Sequence, residues 1–207
     1  MQIQSFINGE PVSSKNTFIK KNPFTHDDLH QVSSAEPLNV VRALQSAQKF
    51  YLEWKTSLLQ TRIELLQKVR QVLVKNKTTF AKLEALDQGL QLQFVETYNL
   101  DSVILFLDQL ILELTHYKLD KSIQHSSVGV ISIIGSWNLS LRVLCERIFL
   151  ALAAGNTVLA KVSSGSPVTA FILQAIANEA AFNPGMLQII LSDDIEVKKL
   201  LISHPGI

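Results

Sequence analysis

Apolar and polar positions follow three successive patterns along this chain of 207 residues. The first 34 residues carry short apolar runs broken by turn residues, which predicts short strands. Phe6-Ile7-Asn8-Gly9-Glu10 contains the Asn-Gly pair that favours a tight hairpin, because both turn positions need positive φ. Asn22-Pro23-Phe24-Thr25 predicts a second turn, followed by a strand at Leu29-His30-Gln31-Val32.

Helical periodicity dominates from there to about residue 117. Val40, Leu44, Ala47, Tyr51 and Trp54 recur at spacings of four and three and make one apolar stripe. Leu65, Leu66, Val69, Val72 and Leu73 predict a second helix. A shorter one is predicted from about Thr79 to Gly89, a suitable left-handed terminator. Val103, Leu107, Leu110, Leu114 and Tyr117 share a face of a long helix. These stripes are read as core.

After residue 127 the pattern becomes β-α-β-α-β. A near-continuous apolar run at 128–134 predicts a strand covered on both faces. A helix over 140–154 and a strand over 157–161 follow. Ser166-Pro167 opens a helix reaching about Ala181, with serine as N-cap and proline at the first helical position. Asn183-Pro184-Gly185 turns the chain into a strand at 186–191, and a short helix covers about 194–203. Parallel strands with right-handed helical crossovers make a doubly wound sheet. The predicted fold class is α/β. An N-terminal β-hairpin region (1–34) and a helical segment (35–127) precede a mostly parallel, dinucleotide-binding core (128–207). With the chain ending at Ile207, the strand at 186–191 is expected to lack its next neighbour and to leave an apolar edge open to self-association.

Composition narrows the function classes. Hydrophobic residues make up 47% and charged residues 18%, enough for a sizeable core. The net charge of +1, with no long block of like charges, gives no support for nucleic acid or acidic membrane as a partner. One cysteine excludes an internal disulfide and fits a reducing compartment. The N-terminus MQIQSFINGE lacks a basic start and a long apolar run, so no secretory signal is expected. Residues 103–114 are too short for a membrane span, and 139–154 is interrupted by Arg142, Glu146 and Arg147. A cytoplasmic protein is expected.

Candidate chemistry concentrates where two strands end. Gly135-Ser136-Trp137-Asn138 lies where a strand becomes a helix, and Lys161 closes the next strand. In an open α/β sheet the carboxyl ends of the strands form the ligand edge. Asn138 can offer an amide N–H to a developing oxyanion, and Lys161 can hydrogen-bond a nucleotide ribose. Each residue alone equally suits an ordinary capped turn or a solvated strand end. The histidines, His26, His30, His116, His125 and His204, are scattered without metal-ligand spacing, so no metal site is expected. Cys145 sits inside an apolar helix and reads as core. Asp193-Asp194 reads as a solvated loop or helix start.

The combination of these residues resembles the aldehyde dehydrogenase superfamily. The match runs through Val128-Gly129-Val130, Trp137-Asn138, Leu152-Ala153-Ala154-Gly155-Asn156, Lys161, Pro167, Asn183-Pro184-Gly185 and Ser203-His204-Pro205. Upstream, Ile7-Asn8-Gly9-Glu10, Asn22-Pro23-Phe24-Thr25, Trp54, Arg62 and Leu86-Asp87-Gln88-Gly89 fall in the same order. The resemblance implies part of an NAD- or NADP-dependent enzyme that oxidises an aldehyde to a carboxylic acid through a cysteine thiohemiacetal and thioester. It assigns Asn138 to the oxyanion hole and Lys161 to the adenosine ribose. Ile134, Gly135, Ser136 and Trp137 would line the cofactor crevice, and Pro184 and Gly185 would lie beside the adenine.

Two departures carry consequences. Many members place a glutamate on the ribose where Ser164 stands here, and loss of that carboxylate removes repulsion toward a 2′-phosphate. Tolerance of NADP, even preference for it, is therefore expected. The family's catalytic cysteine and general-base glutamate lie beyond the position matching Ile207, so these 207 residues alone are expected to be inactive. The intact enzyme is expected to be a homo-oligomer. The alternative is a non-catalytic nucleotide-binding or subunit-interaction remnant of the family.

Overall fold

The computed structural model describes residues 1–117 and 126–207. Residues 118–125 of the helical segment expected over 35–127, with His125, lie outside the described residues.

The chain begins with β1 (Gln2–Ile3), β2 (Ser5–Ile7), β3 (Glu10–Val12), β4 (Thr17–Lys21) and β5 (Asp28–Ser33). Asn8 and Gly9 have φ of 53° and 81°, so the predicted two-residue hairpin joins β2 to β3. Strands β1, β5 and β4 form a small sheet, with β1 parallel and β4 antiparallel to β5.

The predicted stripe forms α1 (Pro37–Trp54), which buries Val40, Ala43, Leu44, Ala47 and Trp54. The two helices expected between 65 and 89 are one helix, α2 (Leu59–Gln88). The polar run 75–79 contains neither glycine nor proline. None of its residues is buried, and Phe80 and Ala81 resume the buried stripe seven and eight residues after Leu73. Gly89 ends the helix in the left-handed region, φ 68°, as predicted. Helix α3 (Leu92–Phe94) continues through a π-helical turn at Val95–Asp101 into α4 (Ser102–His116).

The remaining elements are β6 (Val130–Ile134), α5 (Ser140–Ala153), β7 (Thr157–Val162), α6 (Val168–Glu179), β8 (Leu187–Leu191) and α7 (Ile195–Ser203). Strands β6, β7 and β8 are parallel, and the five-stranded order is β3-β2-β8-β7-β6. The N-terminal hairpin thus belongs to the main sheet, with β2 antiparallel to β8 at Phe6↔Ile189. This corrects two expectations. Strand β8 has neighbours on both sides, and among the described residues the open edge of the parallel strands is that of β6. Being an edge strand, β6 is only partly covered rather than buried on both faces.

Alternation along β7 divides the core. Val158, Ala160 and Val162 face α5 and α6, which α2 and α4 cover in turn; Leu159 faces α1 and α7. The amino-terminal edge of the sheet is braced by residues that the family resemblance had picked out. Asn156 accepts from the N–H groups of Val128 and Gly129 at 2.7 and 3.0 Å. The Trp54 indole donates to the Leu152 carbonyl at 3.0 Å. Arg62 donates to carbonyls at the ends of both α1 and α5, those of Trp54 and Ala153. Gly155, at φ 81°, leaves the space its guanidinium fills.

Candidate functional site

Three parallel strands end side by side, and the loops beyond them form the candidate site. Ile134 of β6 is registered on Lys161 of β7, and the Gly135 N–H donates to the Lys161 carbonyl at 2.9 Å. The turn 135–138 is therefore anchored on the neighbouring strand end. Gly135 is small for a packing reason, since a Cβ there would lie 2.9 Å from the Leu144 side chain of α5. The Ser136 hydroxyl donates to the Asn138 carbonyl at 3.0 Å, tightening the turn. Leu139 then takes a left-handed conformation, φ 50° and ψ 39°, to enter α5. A leucine rarely adopts that region, so the chain direction after Asn138 is held by its surroundings. Asn138 and Trp137 stand exposed at the edge, and Ile134 is partly exposed.

Lys161 is 5% exposed, an unusual state for a lysine. It has no hydrogen bond or ion pair with another described residue. Its strand parity places it on the face shared with α1 and α7, as Thr157 shows by donating to the Ala47 carbonyl at 3.2 Å. Burial lowers its pKa, the Lys198 charge of α7 lowers it further, and Asp193 opposes both. An ammonium so placed retains donors for a ligand at the strand ends.

The third strand contributes Asp193, which the sequence pattern gave only as a solvated loop or helix start. Asp193 follows β8 by two residues, the topological equivalent of the turn after β6, and accepts from the Ser34 hydroxyl at 2.7 Å. Asp194 caps α7 by accepting from the Glu196 N–H at 2.8 Å, the helix-start role expected of it. Following a parallel strand is the signal that would have marked Asp193.

Ser164 lies in the loop between β7 and α6, half-buried and two residues from the Val162 strand end, close to Lys161. Pro184 and Gly185 are elsewhere. They precede β8, so they occupy the amino-terminal edge of the sheet, opposite the Asn138–Lys161 edge. Gly9 packs against Pro184, and Gly185 against Phe50 and the Ser46 carbonyl. Their expected place beside an adenine at the site is corrected: they join the hairpin to α1. A cleft of about 470 Å³ bordered by Arg62, Leu110, Leu150 and Ala154 also lies at that opposite edge.

Beneath the site, two buried carboxylates on α2 serve the crossover helices. Glu84 accepts from the Leu141 N–H at 3.3 Å, in the first turn of α5. Asp87 accepts from the Val168 N–H at 3.3 Å, at the start of α6. The cap expected of Ser166 is thus supplied by Asp87, and the Ser166 hydroxyl is buried without a partner. Burial raises the pKa of Glu84, and it raises that of Asp87 to about 7. Cys145 is fully buried, and desolvation, with the Glu84 and Glu146 charges, pushes its thiol well above the usual range. It is no nucleophile. Among the described residues no group of three or more His, Cys, Asp or Glu is arranged to hold a metal ion, and no helix is long and apolar enough to cross a membrane.

The fold is an open, mostly parallel α/β sheet with polar groups gathered at the carboxyl ends of its parallel strands, the edge at which such sheets bind ligands. Residues 11–207 match the model of the aldehyde dehydrogenase family, and the chain belongs to that family. It is 28% identical to 2-aminomuconic semialdehyde dehydrogenase of Homo sapiens, over all of this chain and 45% of that protein. The NAD+ complex of aldehyde dehydrogenase from Bacillus cereus superposes with a TM-score of 0.90 at 25% identity, over all of this chain and 45% of that one. Aldehyde dehydrogenase C of Pseudomonas syringae, a mutant complexed with NAD+ and octanal, shares the fold with a TM-score of 0.93 at 21% identity, over 99% of this chain and 44% of that one. The chain therefore spans less than half the length of these relatives.

Proposed function

We propose that these residues form the cofactor side of an NAD(P)-dependent aldehyde dehydrogenase that oxidises an aldehyde to a carboxylic acid. The observation that carries this reading is Lys161, a nearly buried lysine at the strand ends with no hydrogen bond or ion pair to another described residue, with Asn138 on the adjoining turn. A lysine so enclosed has its ammonium largely desolvated, a cost that a ligand accepting its hydrogen bonds offsets, and a ribose diol offers two acceptors. Ile134, Ser136 and Trp137 line the crevice beside it, and Ser164 leaves the ribose 2′ position without a carboxylate. The nicotinamide cofactor, when bound, accepts the hydride.

Asn138 holds the substrate oxygen by an amide N–H, and its strained neighbour Leu139 fixes the direction of that donor. The nucleophilic cysteine comes from sequence outside these 207 residues, so the chain by itself binds nucleotide and does not turn over. An aldehyde is the substrate and a homo-oligomer the working form. The test uses the product containing the family's cysteine region. Asn138→Ala is expected to lower kcat about a hundredfold or more while cofactor Kd changes less than threefold. Unchanged kcat would refute the role of Asn138.

A further inference from the structure

The small N-terminal sheet reaches the cofactor edge through a polar contact: the Lys20 ammonium donates to the Gly165 carbonyl at 2.7 Å. Lys20 is the penultimate residue of β4 and half-buried. Gly165 lies in the loop that joins β7 to α6 and carries Ser164. The loop is otherwise held from within, by the Gly165 N–H to the Ser163 hydroxyl at 3.2 Å and the Ser166 N–H to the Ser163 carbonyl at 3.1 Å. It also abuts the other side of the crevice, since a Cβ on Gly165 would sit 3.1 Å from the Trp137 Cβ. A shift of Gly165 is therefore a shift against Trp137, the neighbour of Asn138.

A second observation places a negative group behind the same loop. The Asp87 carboxylate is wholly buried at the start of α6, with Oδ2 on the Val168 N–H and Oδ1 without a partner. The turn after β4 brings the two elements together: Pro23 and Phe24 pack on Gly89, two residues beyond Asp87. The Lys20 charge favours the ionised form of Asp87, whereas Glu84 on the same helix and burial oppose it.

We infer that Lys20 and Asp87 together are positioning residues, a cation–carboxylate clamp that holds the 163–166 loop in register with Trp137 and so shapes the ribose side of the crevice. The inference rests on the cofactor reading only for its consequence on binding; the clamp itself is a property of the chain. Lys20 supplies the carbonyl contact from outside, and Asp87 fixes the first turn of α6 from below. Removing the ammonium leaves the Gly165 carbonyl without its donor and disfavours the Asp87 carboxylate beneath the start of α6, so the loop loosens.

The test is amide hydrogen exchange of this chain, with nucleotide titration beside it. In Lys20→Met, exchange at Gly165, Ser166 and Val168 is expected to rise about tenfold, the loss of one charge-assisted hydrogen bond, while Leu159 in β7 stays protected. Lys20→Arg should retain most of the protection, and ethylammonium should restore part of it in Lys20→Ala. In the Lys20→Met/Asp87→Asn double variant, the loosening should be less than the sum of the single effects. NAD or NADP affinity should fall about tenfold in Lys20→Met. Exchange in Lys20→Met within twofold of the parent, or strictly additive effects, would overturn the clamp. If the parent chain binds no nucleotide, the cofactor reading fails, and the exchange result still decides the clamp.

Discussion

Gly135 and Lys161 are joined by a backbone hydrogen bond of 2.9 Å that crosses from the turn after one strand to the last residues of the next. Through it, the loop carrying Trp137 and Asn138 is set against the one side chain at this edge that is both cationic and nearly buried. The two sequence signals that first suggested function are thus one structural unit. Conformational freedom in either would be transmitted to the other.

Lys161→Met separates ligand binding from folding. Loss of charge-assisted hydrogen bonds to a ribose is expected to weaken NAD or NADP binding by roughly ten- to a hundredfold. The urea midpoint should stay level or rise, because desolvation of the Lys161 ammonium and the nearby Lys198 charge oppose folding. A fall in both together would make Lys161 a structural residue.

Ser164→Glu tests the discrimination between cofactors. A carboxylate there repels a 2′-phosphate and can accept from a 2′-hydroxyl, so NADP affinity should drop about tenfold or more while NAD affinity holds or improves. Paired calorimetric titrations measure the ratio. An unchanged ratio would place Ser164 away from the ribose.

Asp87 makes stability depend on pH with a definite sign. Its folded pKa is raised to about 7 from 3.8, so between those values the folded chain holds a proton that the unfolded chain has released. The associated stability is fully present below the unfolded value and is lost as pH rises through about 7. From pH 5 to pH 8 the parent should therefore lose stability relative to Asp87→Asn, by a few kcal/mol in urea unfolding. A parallel pH dependence in the two proteins would contradict this. The same ionisation that strengthens the Lys20 clamp thus works against the fold.

The open edge of β6 should mediate self-association of the isolated chain. Gly129 and Gly135 both bond to β7, so the odd-numbered positions face β7 and the even-numbered ones, including Ser132, face outward. Ser132→Pro removes an outward N–H without touching the β7 ladder, and should weaken self-association about tenfold in sedimentation equilibrium. A parent chain that sediments as a monodisperse monomer would remove the basis for this expectation.

Local pattern made much of the fold legible. Asn8-Gly9, the α1 stripe, Gly89 and the β-α-β-α-β order all depend on neighbours in sequence, and each forms as its residues dictate. What escaped depends on partners far along the chain. The insertion of β2 beside β8 is a pairing across more than 180 residues, and the cap on α6 comes from Asp87 rather than from adjacent Ser166. The continuity of α2 was obscured by a polar run that marks a solvent face rather than a break. Pro184-Gly185 illustrates a different failure, in which resemblance outran topology. A turn that precedes a parallel strand lies at the edge opposite its carboxyl end, and that inference was available from the strand order alone. The same rule, applied after β8, singles out Asp193.

If the Asn138–Lys161 edge binds a nicotinamide dinucleotide as proposed, Trp137, 67% exposed at that edge, reports on it directly. The measurement is Trp137 fluorescence of this chain in a Trp54→Phe background during titration with NAD and NADP. A saturable change that weakens at least tenfold on Lys161→Met is the expected result. No saturable change with either dinucleotide, or an identical titration with Lys161→Met, would contradict the account.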